Sequence, residues 1–277
     1  MSRPLDAVRR AAVAGMFYPG SAAELAQEID TLLQRAPRAT LHGRPVALVA
    51  PHAGYIYSGP TAAAAYALLK GLEYSTVVVV SPSHREYFAG VSVYPGDAYE
   101  TPLGRVPVDT ALRDRLLAIS EVVTSSAAGH GAEHAVEVHV PFLQKALGSF
   151  RFLPLVMGDQ SRETCYALGE DLANVLRNES SLLVASTDLS HFYTALEAER
   201  RDGIVLGDLE KFEPERLMGD LEEGQAEACG GGPVVAVMIA ARALGARRLR
   251  ILSHTHSGQI TGDCHSVVGY CSAVMST

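Results

Sequence analysis

Four segments of this chain place a histidine behind a short run of strand-type residues. Residues 46–50 (Val-Ala-Leu-Val-Ala) lead into Pro51-His52-Ala53-Gly54-Tyr55, and Val77-Val-Val-Val80 leads into Ser81-Pro82-Ser83-His84. Residues 182–187 lead into Asp188-Leu189-Ser190-His191, and residues 250–253 into His254-Thr255-His256. Ligands of α/β sheets gather beyond the carboxyl ends of the strands. If these strands are parallel, their histidines converge on one edge, which suits a transition metal or an acid–base site. A single such histidine is more simply a hydrogen-bonded structural ring.

Cys229 stands ahead of Gly230-Gly231-Gly232-Pro233 and an apolar run, a helix start with Pro in the first turn. A thiol at that place faces the positive end of a helix dipole, which favours the metal-ligating thiolate. The plain alternative is a buried inert thiol. The glycines either let the backbone approach the site closely or supply a turn with positive φ. Asp188 and His191 are three apart, so in a helical turn they share a side. His191 would then exchange protons, with Asp188 orienting it or taking a proton; otherwise Asp188 is a helix cap. The segment Glu133-His134-Ala135-Val136-Glu137-Val138-His139-Val140-Pro141 is dense in titratable groups. If it is helical, Glu133 and Glu137 share a face and Glu137 could offer a carboxylate; if it is extended, Ala135, Glu137 and His139 share one. Roles for His134 and His139 stay open. His254, His256 and His265 read as structural imidazoles, and Cys165, Cys264 and Cys271 as packing residues.

These groups need a scaffold. Short Val-, Leu- and Ile-rich runs predict strands over 46–50, 76–81, 91–94, 152–157, 182–187, 249–253 and 267–275. Helical patterns fall between them at 61–72, 110–119, 140–147, 162–178, 195–209 and 233–244. Ser21 and Glu24 read as a capping box opening a further helix to about residue 35. Strands alternating with helices predict an α/β layered fold, with a largely parallel or mixed central sheet flanked by helices. Uniformly apolar strands such as 77–80 fit a sheet covered on both faces. No Gly/Ser/Pro-rich linker or internal repeat divides the 277 residues.

The hydrophobic fraction of 48% and charged fraction of 19% fit a globular chain with a sizeable core. A net charge of −8 argues against nucleic acid as the main partner, and the basic stretch at 247–250 reads as a solvated turn. No apolar stretch approaches the ~20 residues of a membrane span. Four cysteines without CxxC spacing, and no apolar leader, make a reducing cytoplasm the expected setting.

Taken together, Ala14-Gly-Met-Phe-Tyr-Pro19, Pro51-His-Ala-Gly-Tyr-Ile-Tyr-Ser-Gly-Pro60, Ser81-Pro-Ser-His84, residues 133–142, Ser186-Thr-Asp-Leu-Ser-His-Phe192 and Cys229-Gly-Gly-Gly-Pro233 resemble the Memo family, AmmeMemoRadiSam system protein B. The resemblance runs in order along most of the chain. It implies one Memo-like domain over 1–277, with a fold similar to the LigB-type class III extradiol dioxygenases. It also implies a metal site of His52, His84 and Cys229, with Asp188 and His191 nearby. The dioxygenases hold iron with two His and a carboxylate; the thiolate here suits iron, copper or zinc and casts doubt on ring cleavage. A pathway link to a radical enzyme and an AMMECR-type partner is implied in the same way.

Three functions follow as expectations. The first is an iron- or copper-dependent oxidoreductase acting on a small-molecule or peptide substrate. The second is a non-catalytic metal- or peptide-binding protein whose pocket is lined by Tyr55, Tyr57, Phe192 and Tyr193. The third is a zinc-dependent hydrolase with Glu137 or His191 as general base.

Overall fold

Strands that are apolar on both sides need cover on both faces, and the computed structural model, which describes residues 7–277, provides it. In chain order the elements are β1 (Val8–Arg9), α1 (Ala22–Arg35), β2 (Pro45–Ala50), α2 (Tyr55–Tyr66), β3 (Thr76–Pro82), β4 (Val91–Val93), β5 (Ala98–Thr101) and β6 (Gly104–Pro107). There follow α3 (Thr110–Ile119), β7 (Val123–Ser125), α4 (His139–Leu147), β8 (Arg151–Met157), α5 (Arg162–Leu176), β9 (Ser181–Ser186) and β10 (His191–Tyr193). The chain closes with α6 (Ala195–Lys211), α7 (Pro214–Glu222), α8 (Gly231–Ala243), β11 (Arg248–His256), α9 (Gly258–Thr261) and β12 (Val267–Ser276).

Among the described residues the main sheet has nine strands, in the order β10-β12-β2-β9-β3-β8-β4-β7 with β11 also paired to β12. Its centre, β2, β9, β3 and β8, is parallel throughout, while β12 runs antiparallel to β2 and β4 antiparallel to β8. The result is a mixed sheet with a parallel core, as expected. Alternation along β3 sends Val77 and Val79 to one face and Val78 and Val80 to the other, and all four are fully buried. Leu25, Ala63, Tyr66 and Phe142 of α1, α2 and α4 cover the first face. Leu116, Leu172, Val205 and Val235 of α3, α5, α6 and α8 cover the second. Among the described residues, a second sheet, β1-β5-β6, takes in Val8 and Arg9.

All seven predicted strands form. The differences concern the ends of elements and the short elements not expected, β1, β5, β6, β7, β10, α7 and α9. Helix α2 begins at Tyr55 rather than residue 61, because Gly59 and Pro60 read as breakers but lie inside it. Pro60 is on the exposed side, where the carbonyl of Ile56 that it leaves without a helical partner can be hydrated. The helix start is held by Tyr55 N–H donating to the Phe17 carbonyl at 2.7 Å. Ser21 precedes α1 as expected but its side chain makes no capping bond. Asp109, Ser161 and Thr194 do cap α3, α5 and α6 by accepting a backbone N–H. Strand β11 runs on through His254 and His256, which pair across to Cys271 and Gly269, so they do not follow a strand end.

His130, between β7 and α4, is buried with its Nδ1 2.5 Å from Tyr99 Oη. Burial, and then Arg9, push it down to about 3. The folded protein therefore refuses a proton that the unfolded chain accepts near pH 6.5. Stability from this group is complete above pH 6.5 and is lost as pH falls from 6.5 towards 3. His130→Gln is expected to shrink the stability lost between pH 7 and pH 4 by on the order of 2–3 kcal/mol. Urea titrations at the two pH values check this; an unchanged loss would contradict it.

Candidate metal centre

Parallel register delivers the site. Ala50 at the end of β2 is opposite Ser186 at the end of β9, and Val80 of β3 is opposite Ala185. The chain then leaves the sheet at Pro51-His52, at Ser83-His84 and at Thr187-Asp188, all on one edge. Cys229 joins them from the second layer: its N–H donates to the Asp188 carbonyl at 3.2 Å, and Asp188 N–H points at Cys229 Sγ at 3.2 Å. Gly230 makes this docking possible, since a Cβ there would stand 2.0 Å from the Ser186 carbonyl oxygen. None of Gly230, Gly231 and Gly232 has positive φ, so close approach rather than a turn explains the first of them.

His52, His84 and Cys229 each bring one ligand atom within 4.8 Å of the others. The tightest pair is Cys229 Sγ and His52 Nε2, 3.2 Å apart. His52 is buried, Cys229 half-buried and His84 exposed, so the group opens to solvent on the His84 side. Burial, then the imidazoles of His84 and His134, push His52 well below its ordinary value, which keeps the ring neutral. The expectation that the helix dipole favours the thiolate is not met in this geometry. Burial and then the Asp188 carboxylate push the Cys229 thiol up, so a bound cation would have to displace its proton.

A second group, missed as a unit by sequence reasoning, supports the first. Glu133 accepts from His84 N–H at 2.6 Å and sits 3.0 Å from His84 Nδ1 and 3.1 Å from His134 Nδ1. Burial alone would push Glu133 up, but hydrogen bonds from His134 and His84 hold it far below the ordinary carboxylate range. An ionised carboxylate accepts only, so both rings present N–H to it through Nδ1 and leave Nε2 free. The two rings stack at 4.9 Å between centroids, and His52 meets each edge-on at 5.0 and 5.5 Å. The signal for His134 was its place beside Glu133 in a dense motif; the turn at 135–138 that separates Glu133 from Glu137 could not be read.

Glu137 is a correction. It is fully buried and turned away from the site, paired with Arg9 and accepting from Tyr18 Oη at 2.5 Å, Ala12 N at 2.8 Å and Val13 N at 3.0 Å. Both its oxygens are occupied, so it serves as an anchor for the N-terminal segment and offers no general base. Asp188 does not cap a helix, and no helical turn follows it: its Oδ1 accepts from His52 N–H at 2.8 Å, and Oδ2 lies 4.0 Å from His52 Nε2. Burial pushes its carboxyl up, opposed by the His52 N–H and by the charge of His191. His191 is half-buried on β10, with its N–H on Glu227 at 3.1 Å and its ring beside Phe192. His254 is bound to Asp202 at 3.0 Å, away from these residues. Of the expected lining aromatics, Tyr57 and Phe192 border a cavity of about 320 Å³ with Tyr270 and Val268. Tyr55 is core, donating to the Val138 carbonyl at 2.6 Å, and the Tyr193 ring lies under Arg201.

Layered helices around a parallel sheet core, with two histidines and a cysteine gathered at the strand ends, define the class of protein. A solved structure of an uncharacterized protein from Escherichia coli shares the fold, with a TM-score of 0.53, 18% identity and coverage of 83% of this chain and 100% of that one. The family model described as Memo-like protein matches residues 9–274. MEMO1 family proteins of Methanothermobacter thermautotrophicus and Aquifex aeolicus are 37% identical over 273 residues and 38% over 264. Those alignments cover 95% of this chain in both cases, and 98% and 97% of the relatives. The chain belongs to the Memo-like family.

Breaking the buried Arg9–Glu137 pair from one side leaves an uncompensated charge, which costs about 3–5 kcal/mol. Glu137→Ala is therefore expected to lose about that much stability in urea unfolding. Full stability in Glu137→Ala would contradict the anchoring role.

Proposed function

We propose that this protein is a metal-dependent oxidoreductase that holds one iron or copper ion with His52, His84 and Cys229. The observation that carries the reading is the convergence of these three donors within 4.8 Å, from two strand ends and the approach to α8. Donors about 2.0–2.3 Å from one ion at tetrahedral angles stand roughly 3.3–3.8 Å apart. The 3.2 Å separation of Cys229 Sγ and His52 Nε2 is close to that range. Two imidazoles and a thiolate fit iron, copper or zinc. Bound there, the metal would supply a redox-active, Lewis-acidic centre.

The chain's own residues supply the rest. Asp188 accepts the His52 N–H with one oxygen and keeps the other near the donors, where it can take or return a proton. His191, three residues beyond Asp188 at the start of β10, is assigned proton transfer beside it. The exposed side of His84 gives a small organic or peptide substrate its way in. With both oxygens of Glu137 occupied, the hydrolase reading loses one of its two general bases.

Elemental analysis of protein purified without oxygen tests the reading. About one iron or copper per chain is expected in the wild type. His52→Ala, His84→Ala and Cys229→Ala should each weaken binding by more than the ~10–100-fold typical of losing an outer partner. The loaded wild type should also consume dioxygen in the presence of a reductant. Wild-type occupancy in the variants would overturn the site; a loaded protein that consumes no dioxygen would overturn the oxidoreductase assignment.

A further inference from the structure

Behind His52, on the side away from Cys229, runs a chain of hydrogen bonds that the proposed chemistry does not use. His52 Nδ1 is 2.7 Å from Ser186 Oγ, and Ser186 Oγ is 2.8 Å from His139 Nε2. His139 Nδ1 is in turn 2.8 Å from Tyr66 Oη. All four side chains are buried: His52 and His139 are 1% exposed, Ser186 and Tyr66 0%. Each has its partners within the chain itself, so the direction of each bond follows from the inventory of donors and acceptors.

Ser186 fixes the direction. Its hydroxyl has one proton to give and two lone pairs, and it has three partners at 2.7–2.8 Å. The third is the backbone carbonyl of Ala135, 2.7 Å away, which can only accept. The proton of Ser186 therefore goes to Ala135, and both imidazoles must donate to Ser186. His139 is neutral, because burial pushes it down to about 3, so it has one N–H. That N–H is on Nε2 facing Ser186, and Nδ1 accepts from the Tyr66 hydroxyl. By the same logic His52 carries its proton on Nδ1, and its lone pair is on Nε2, directed at Cys229 Sγ 3.2 Å away.

We propose that Ser186, His139 and Tyr66 are positioning residues that lock His52 in its Nδ1–H tautomer and so prepare Nε2 as a metal donor before any metal arrives. The proposal rests on the metal reading above, but the lock itself is a property of the metal-free protein. With Nε2 protonated instead, His52 would need Ser186 to donate to Nδ1, and the buried Ala135 carbonyl would lose its partner. An unpartnered buried carbonyl is unfavourable, which keeps the ligating tautomer dominant. Ser186 thus acts on His52 as Glu133 acts on His84, but with a neutral hydroxyl in place of a carboxylate. His52 is consequently oriented from its Nδ1 side by a neutral hydroxyl, at the buried end of the site.

Long-range ¹H–¹⁵N correlation of metal-free protein labelled in histidine reads the tautomer directly. The wild type is expected to show His52 with a protonated Nδ1 and an unprotonated Nε2. In Ser186→Ala the Nε2–H form should appear, and Zn(II) affinity, measured by competition with a chromophoric chelator, should fall ~10–100-fold. Tyr66→Phe keeps the ring stacked on Phe142 and removes only the outer donor; it is expected to weaken Zn(II) several-fold, and it carries the test if Ser186→Ala does not fold. His52 found as Nε2–H in the wild type, or wild-type Zn(II) affinity in a folded Ser186→Ala, overturns the proposal. A wild type with the Nδ1–H tautomer that binds no Zn(II) overturns the metal reading and with it this role, and the spectrum distinguishes that case from a failure of the lock.

Discussion

The parallel pairing of β2, β9 and β3 is the constraint on which the rest depends. Because their registers align Ala50 with Ser186 and Val80 with Ala185, three chain segments leave the sheet within a few ångströms of one another. A slip of one residue in β9 would turn Ser186 from the His52 face to the opposite one. The register is itself held by burial: alternate residues of β3 feed two separate apolar cores, so a slip would exchange one core for the other. Chemistry at the edge is thus secured by packing in the middle.

Onto that edge the fold brings two carboxylates from one short segment, with opposite duties. Glu133 faces the donors and gathers His84 and His134 through their Nδ1 atoms. Glu137 faces away and ties Arg9, Tyr18 and the backbone of Ala12 and Val13 to the same segment. Arg9 closes the loop by donating to the carbonyls of His130 and Glu133. Residues 9–18 therefore act as a strap over the residues that carry Glu133, and Phe17, near the end of that strap, lies against the His134 ring and accepts the first N–H of α2. Both carboxylates are buried, and each is compensated by its own set of donors, as charge in an apolar interior requires.

Much of this was legible in the sequence because burial on both faces writes strands as apolar runs. The seven strands, and the positions of His52, His84 and Cys229 relative to them, follow from that pattern and from the motifs shared with the family. What could not be read depends on contacts between distant segments. Pro60 looked like a helix breaker because its exposed placement within α2 is a tertiary fact. His254 looked like a strand-end residue because β12, which extends β11 past it, lies further along the chain. Glu137 and Glu133 are equivalent by composition, and only the turn between them sends one to Arg9 and the other to His84. Ser186 opens one of the motifs shared with the family, but its role was not legible, since a serine closing a strand is common and its three partners come from α2's neighbourhood, α4 and the 133–138 turn.

The family relationship spans almost the whole chain, and the E. coli structure shows that the fold is shared where sequence identity is low. The central claim, that Cys229 and two imidazoles hold one metal, is tested most directly by X-ray absorption on the zinc-loaded protein. One sulfur scatterer at about 2.3 Å with nitrogen scatterers at about 2.0–2.1 Å is the predicted shell, with the sulfur lost in Cys229→Ser. A shell of nitrogen and oxygen alone in the wild type would contradict it.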